Sequence, residues 1–137
     1  MAVAKWAAPS ARSSNIAGTT LNSLANGSES AVVNYDNSAA LDLYSVVTIK
    51  LGSITPATGG SITLRVTLSD GTDTADRIGG DLYVVPLTSG AGAKVAVINM
   101  VRLYPFLMRL SVVNNAGVAL AASGNELYVR PWNEDIA

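Results

Sequence analysis

At 137 residues with a net charge of −1, the chain has room for one domain and one core, and it offers no basic stripe along which a phosphate backbone would bind. Only 14% of its residues are charged, against about 25% in ordinary soluble domains, so solvated surface is scarce and a subunit that hides much of itself in a homo-oligomer or lattice is expected. Cysteine and histidine are both absent, which removes disulfides, thiolate metal sites, Ser-His-Asp and Cys-His pairings, the usual general base and the commonest nitrogen ligand.

The first residues, MAVAKWAAPSARSS, lack a continuous apolar h-region, and no later run reaches the roughly 18 apolar residues of a membrane helix. Neither an export signal nor a membrane partner is expected. Residues 1–30 are rich in Ala, Ser, Asn, Thr and Gly, with isolated large apolar residues at Trp6, Ile16, Leu21 and Leu24. So few apolar side chains cannot offset the entropy of ordering the segment by themselves. The expectation is an extended N-terminal arm over 1–30 and a folded domain over 31–137. Trp6, with no local apolar partner, must find cover on the body of the fold or on a neighbour. Trp6, Ile16, Leu21 and Leu24, with Trp132 near the other terminus, are therefore the candidate assembly contacts.

From residue 31 the pattern has period two, which sends alternate side chains to opposite faces of a strand. In ALDLYSVVTIKL the row Leu41, Leu43, Val47, Ile49 and Leu51 is predicted to share the inner face, with Asp42, Thr48 and Lys50 opposite. In SITLRVTLS, Ile62, Leu64, Val66 and Leu68 point in, while Thr63, Arg65 and Thr67 point out. Ser69-Asp70-Gly71-Thr72, Gly79-Gly80-Asp81 and Ser89-Gly90-Ala91-Gly92 supply turns. Pro86 in LYVVPL has no N–H for a ladder and marks that run as an edge or a bulge. KVAVINM follows, within a stretch AKVAVINMV that also fits a helix, and then LYPFLMRLSVV with Phe106, Met108, Leu110 and Val112 as its inner row. After the turn at Asn114-Asn115-Ala116-Gly117, VALAA and ELYVRPW are the last predicted pair, joined by Ser123-Gly124-Asn125. About seven or eight short strands at this spacing predict an all-β fold, an antiparallel β-sandwich of which a jelly roll is one form.

Candidate chemistry is sparse. Asp70, Asp73, Asp76 and Asp81 are the one acidic cluster, and paired carboxylates in a cleft can cleave glycosides. They lie among Gly and Thr, where Asp forms turns through its side-chain oxygen. Calcium also takes clustered carboxylates, but this spacing departs from the first, third, fifth and twelfth positions of an EF-hand loop. GAGAKV at 90–95 begins like a dinucleotide fingerprint, yet Val95 stands where a small residue belongs. No catalytic residue, cofactor or metal is expected. Trp132, beside Pro131 and after Tyr128, has the amphipathic character of a sugar-stacking platform, with a core edge or subunit contact as the other role.

The ordered motifs Leu21-Asn22-Ser23-Leu24-Ala25-Asn26-Gly27, Leu41-Asp42-Leu43-Tyr44, Asn114-Asn115-Ala116-Gly117, Ala121-Ala122-Ser123-Gly124-Asn125 and Tyr128-Val129-Arg130-Pro131-Trp132-Asn133-Glu134 resemble the landmarks of a family of small structural proteins of tailed-bacteriophage virions. The resemblance spans about residues 20 to 134. It implies a β-sandwich without enzymatic activity, carried in the virion and assembled in the bacterial host cytoplasm. Its implied partners are other virion proteins, either the major capsid protein or tail and portal components. Decoration or cementing of the capsid shell is the leading expectation, followed by a tail or head-to-tail adaptor that anchors fibres. From another class, a carbohydrate-binding module also fits a sandwich with exposed aromatics. One departure stands out: similar proteins have a longer loop after the strand at 61–69, where this chain has the short DGTDTADRIGGD. The small residues at 121–124 are expected where neighbouring backbone or another subunit approaches closely, with Asn125 suited to the turn itself.

Overall fold

Alternation of apolar and polar residues buries one face of each strand, and two such faces must meet. The computed structural model, which describes residues 3–70, 72 and 79–136, shows that meeting. In chain order its strands are β1 (Ala4–Trp6), β2 (Val33–Asp36), β3 (Tyr44–Ile54), β4 (Ser61–Ser69), β5 (Asp81–Pro86), β6 (Gly92–Arg102), β7 (Leu107–Asn115), β8 (Glu126–Trp132) and β9 (Glu134–Ile136). Among the described residues there is no helix, and all strand pairings are antiparallel. One sheet has the order β2-β7-β4-β5, the other β6-β3-β8, and β1 with β9 forms a small ribbon. From β2 to β8, every connection except β4 to β5 passes from one sheet to the other.

A single apolar cluster fills the space between the sheets. Ile62, Leu64 and Val66 of β4 and Met108, Leu110 and Val112 of β7 meet Val47, Ile49 and Leu51 of β3, Leu127 and Val129 of β8, and Ala96, Ile98 and Val101 of β6. The fold is an antiparallel β-sandwich, with four strands against three where a jelly roll takes eight. Pro86 ends β5, the edge strand of the four-stranded sheet, where its missing N–H costs no inner ladder bond. The stretch that also fitted a helix is β6. Its register with β3 jumps between Val47↔Ile98 and Ser45↔Val101, leaving one extra residue in β6. That bulge turns both Asn99 and Met100 outward and still lets Ile98 and Val101 face the core.

Five expectations are corrected. Leu41 and Leu43 are exposed, because β3 begins only at Tyr44. The preceding loop is gathered by the fully buried Asn37, whose amide donates to the carbonyls of Asp42 and Tyr104 and whose Oδ1 accepts from the Asp42 N–H. Phe106 is likewise exposed, one residue before β7 starts.

Val118–Ala122 is a loop and does not pair with β8. Asn114 draws the Val118 carbonyl, Leu120 donates to the Leu24 carbonyl, and Ser23 donates to that of Ala121, so this stretch follows the N-terminal segment instead. Asn125 is a buried cross-linker and not the residue that makes the turn. Its Oδ1 accepts from Gly52 N–H, and its amide donates to Asn22 Oδ1 and the Ala121 carbonyl. The turn conformation falls to Gly124, with φ of 81°. The small residues before it face Gly52 of β3, where any Cβ would run into the Ser123 carbonyl oxygen and come within 2.7 Å of Ala121 Cβ. The close approach is therefore made by neighbouring backbone of the same chain.

The fifth correction concerns residues 1–30, which do not all stand apart from the sandwich. Ala17 and Leu21 are buried members of the core cluster, and Ile16 and Leu24 pack against it. Upstream, residues 7–16 lie along the outer edge of β8. The boundary between arm and domain thus falls near residue 16.

Candidate functional site

The outer face of the three-stranded sheet collects the side chains that alternate with the core rows. Cross-strand register aligns them in tiers: Val95, Lys50 and Glu126; Val97, Thr48 and Tyr128; Val46 and Arg130; Arg102, Tyr44 and Trp132. An antiparallel sheet that faces water ordinarily carries polar residues there. Here Val95, Val97 and the bulge residue Met100 are exposed, beside half-buried Val46, Tyr44, Tyr128 and Trp132.

Aromatic contacts organise one end of this face. Tyr44 and Trp132, directly opposed across β3 and β8, stack with ring centroids 4.5 Å apart and planes 26° apart. Trp6, carried in by the pairing of β1 with β9, meets Trp132 edge-on at 5.0 Å and 82°. Such geometry suits the quadrupoles of the rings. Trp6 nevertheless remains 68% exposed. With Ala7, Pro9, Val46, Arg130 and Trp132 it lines a shallow groove of about 520 Å³.

The middle of the face is held by charge. The Arg12 guanidinium lies 3.7 Å from the centre of the Tyr128 ring, and the Tyr128 hydroxyl donates to Glu126 Oε2 at 2.6 Å. Lys50 Nζ approaches the same carboxylate at 3.4 Å in an exposed ion pair. The Tyr128 hydroxyl, and after it Lys50, hold the Glu126 carboxyl below its ordinary pKa, while the bond to Glu126 pushes the Tyr128 hydroxyl up. These groups can stack, attract cations or anions and bury apolar surface.

The opposite sheet carries a second polar cluster with a different character. Glu29 Oε1 accepts from Ser111 Oγ at 2.6 Å and Arg65 Nε at 2.8 Å, while Arg65 Nη1 donates to the Gly79 carbonyl. It fastens the segment before β2 across β7 to β4, which is a structural task.

Of the residues singled out from the sequence, Trp6 and Trp132 come together on this face, while Leu21 lies in the chain's own core and Ile16 and Leu24 rest on it. Leu21 is spent within the fold, a correction to its expected place at an interface, while Ile16 and Leu24 are half-buried. Asp70 accepts from the Thr72 N–H in a side-chain turn, and Asp81 opens β5. Asp73 and Asp76 lie outside the described residues. Among the described residues, no group of three His, Cys, Asp or Glu side chains is placed to hold a metal ion. Sequence reasoning missed Tyr44, Val46, Val95, Val97, Met100, Arg12 and Arg130. The available signal was that the outward positions of the strand rows are themselves apolar or aromatic. No protein-family model, curated protein or solved structure matches the chain.

Proposed function

We propose that the protein is a non-enzymatic structural subunit of a tailed-bacteriophage virion that decorates or cements the capsid shell as a small homo-oligomer. The carrying observation is the outer face of the β6-β3-β8 sheet, where Val95, Val97, Met100 and Trp6 stand exposed on a molecule with few charges. A face of this composition gains free energy from being covered by protein. The bacteriophage setting rests on the sequence resemblance, as do the partners, namely the major capsid protein or tail and portal components, and assembly in the bacterial cytoplasm.

The groove beside Trp6 favours a second reading, a carbohydrate-binding module, since an exposed indole with an arginine at its edge can stack and hydrogen-bond a sugar. Two measurements decide. Mass analysis of separated heads and tails is expected to find the protein with heads; recovery with tails transfers it to the adaptor role. Val97→Lys places a charge on the exposed face without entering the core, so it is expected to lower occupancy on particles while leaving thermal unfolding unchanged. Unaltered occupancy with specific glycan binding overturns the structural reading in favour of the module.

A further inference from the structure

The N-terminal strap meets the edge of β8 in an unusual way. Ala7, Ser10, Ser13 and Ile16 donate their N–H groups to the carbonyls of Asn133, Pro131, Val129 and Leu127, at 2.8 to 3.0 Å. The strap therefore advances three residues for every two on the β8 side, whereas a regular antiparallel pair advances equally on both. The returning bonds come from side chains: Leu127 N–H donates to Asn15 Oδ1, and Val129 N–H donates to Ser13 Oγ. Pro131 has no N–H to donate. An ordinary incoming strand would find a donor missing at Pro131 and no backbone acceptor rhythm to match. The edge is shaped for the sequence Ser10 to Ile16.

Little besides this edge holds the strap. Residues 3–6, 8–12 and 14 are exposed, and the chain first becomes buried at Ala17. Its other attachments, the ladder of β1 with β9, Trp6 on Trp132, Arg12 on Tyr128 and Arg130 Nε to the Ser10 carbonyl, all run to β8 or its immediate extension. The strap also carries slack. Nine steps of chain extend over about 30 Å, while the six opposing steps cover about 20 Å, so the released strap reaches well beyond its own edge.

We propose that residues 3–15 exchange between copies, the strap of one molecule lying on the β8 edge of another. Only a second copy carries the Ser13 and Asn15 acceptors at the required spacing, which identifies the partner. Exchange reproduces in trans the contacts of the strap with β8 and β9, so it needs only the crowding of copies to become populated. The inference deepens the assembly reading and rests on it for that crowding.

The absence of cysteine makes the test direct. Lys5 and Asp135 are opposed in the β1-β9 ladder, so Lys5→Cys with Asp135→Cys in the full chain can form a disulfide. Purified protein is warmed, cooled and oxidised across about a hundredfold range of concentration. Interchain disulfide species are expected to increase with concentration; intrachain monomer at every concentration overturns exchange. Hydrogen exchange on the unaltered chain provides a readout without substitutions. The amides of Ala7, Ser10 and Ser13 are expected to exchange on the order of a hundredfold faster than those of β3 through opening of the strap alone. Equal protection also overturns the proposal. Val97→Lys in the same cysteine background separates the two ideas: unaltered occupancy on particles with persisting interchain disulfides overturns the assembly face and leaves the exchange standing, whereas lowered occupancy with intrachain disulfides alone overturns the exchange and leaves the face.

Discussion

Leu21 and Trp6 look alike in the sequence, two large apolar residues in a polar N-terminal stretch, but truncating them should have unlike consequences. Leu21 is 1% exposed and belongs to the core cluster, so Leu21→Ala removes its buried methyl groups and leaves a cavity. Core Leu→Ala changes cost about 2–5 kcal/mol. With an unfolding entropy of about 2.1 cal/mol/K per residue over 137 residues, that corresponds to a Tm lower by about 7–17 °C. Trp6 is 68% exposed. The remaining third of its surface, at about 25 cal/mol/Å², and one edge-on ring contact amount to about 2 kcal/mol, or about 7 °C, the low end of the range for Leu21→Ala. Thermal unfolding followed by circular dichroism, with urea titration of the same variants, measures both. A loss below about 1 kcal/mol for Leu21→Ala, or a larger loss for Trp6→Ala than for Leu21→Ala, refutes the placement of residues 16–24 in the core.

Gly52→Ala should destabilise by about 1–3 kcal/mol or more in the same assay, because the new methyl group meets the Ser123 carbonyl and Ala121 across the sheet edge; a neutral effect would show that the 121–124 loop yields freely. Asn114→Asp keeps the shape of a fully buried side chain but points carboxylate oxygen at the Leu24 and Val118 carbonyls that its amide now satisfies, and a loss of about 3 kcal/mol is expected in urea unfolding. A depressed Glu126 carboxyl contributes stability that is complete above its unfolded-state pKa and is lost as pH falls through the lower folded value. The stability gap between wild type and Glu126→Gln, present at neutral pH, should therefore close on acidification, and a gap that widens contradicts the assignment.

Assembly on particles and strap exchange are separate questions in solution, yet both bear on the same outer edge of β8. Its Tyr128 and Trp132 face outward with the sheet, while its odd-numbered backbone groups face the strap.

Local pattern alone determined the strand rows and their punctuation. Ile62, Leu64 and Val66 announce β4, because side chains on a strand alternate whatever lies beyond it, and Pro86 announces an edge, because a residue without an N–H cannot serve an inner ladder. Tertiary structure decided what occupied the space between and around those rows. Leu21 entered the core because the loop at 120–121 and the edge of β8 run beside it, a relation between positions about a hundred residues apart. Leu41 and Leu43 share the parity of Val47 and Ile49, but Asn37 holds their segment in a loop, and parity has no meaning where the chain leaves the sheet. Polar residues were the least legible. Asn114 and Asn125 read only as turn formers; Asn114 does accept the Ala116 N–H in its turn, yet both, like Asn37, are buried and also bonded to distant parts of the chain. Nothing local separates a solvated asparagine from a buried one, since the difference lies in whether partners elsewhere in the fold satisfy the amide. The aromatic outer face was hidden for a related reason: its members are scattered along the chain at Trp6, Tyr44, Tyr128 and Trp132, and only the register of β3 with β8 and of β1 with β9 brings them into one surface.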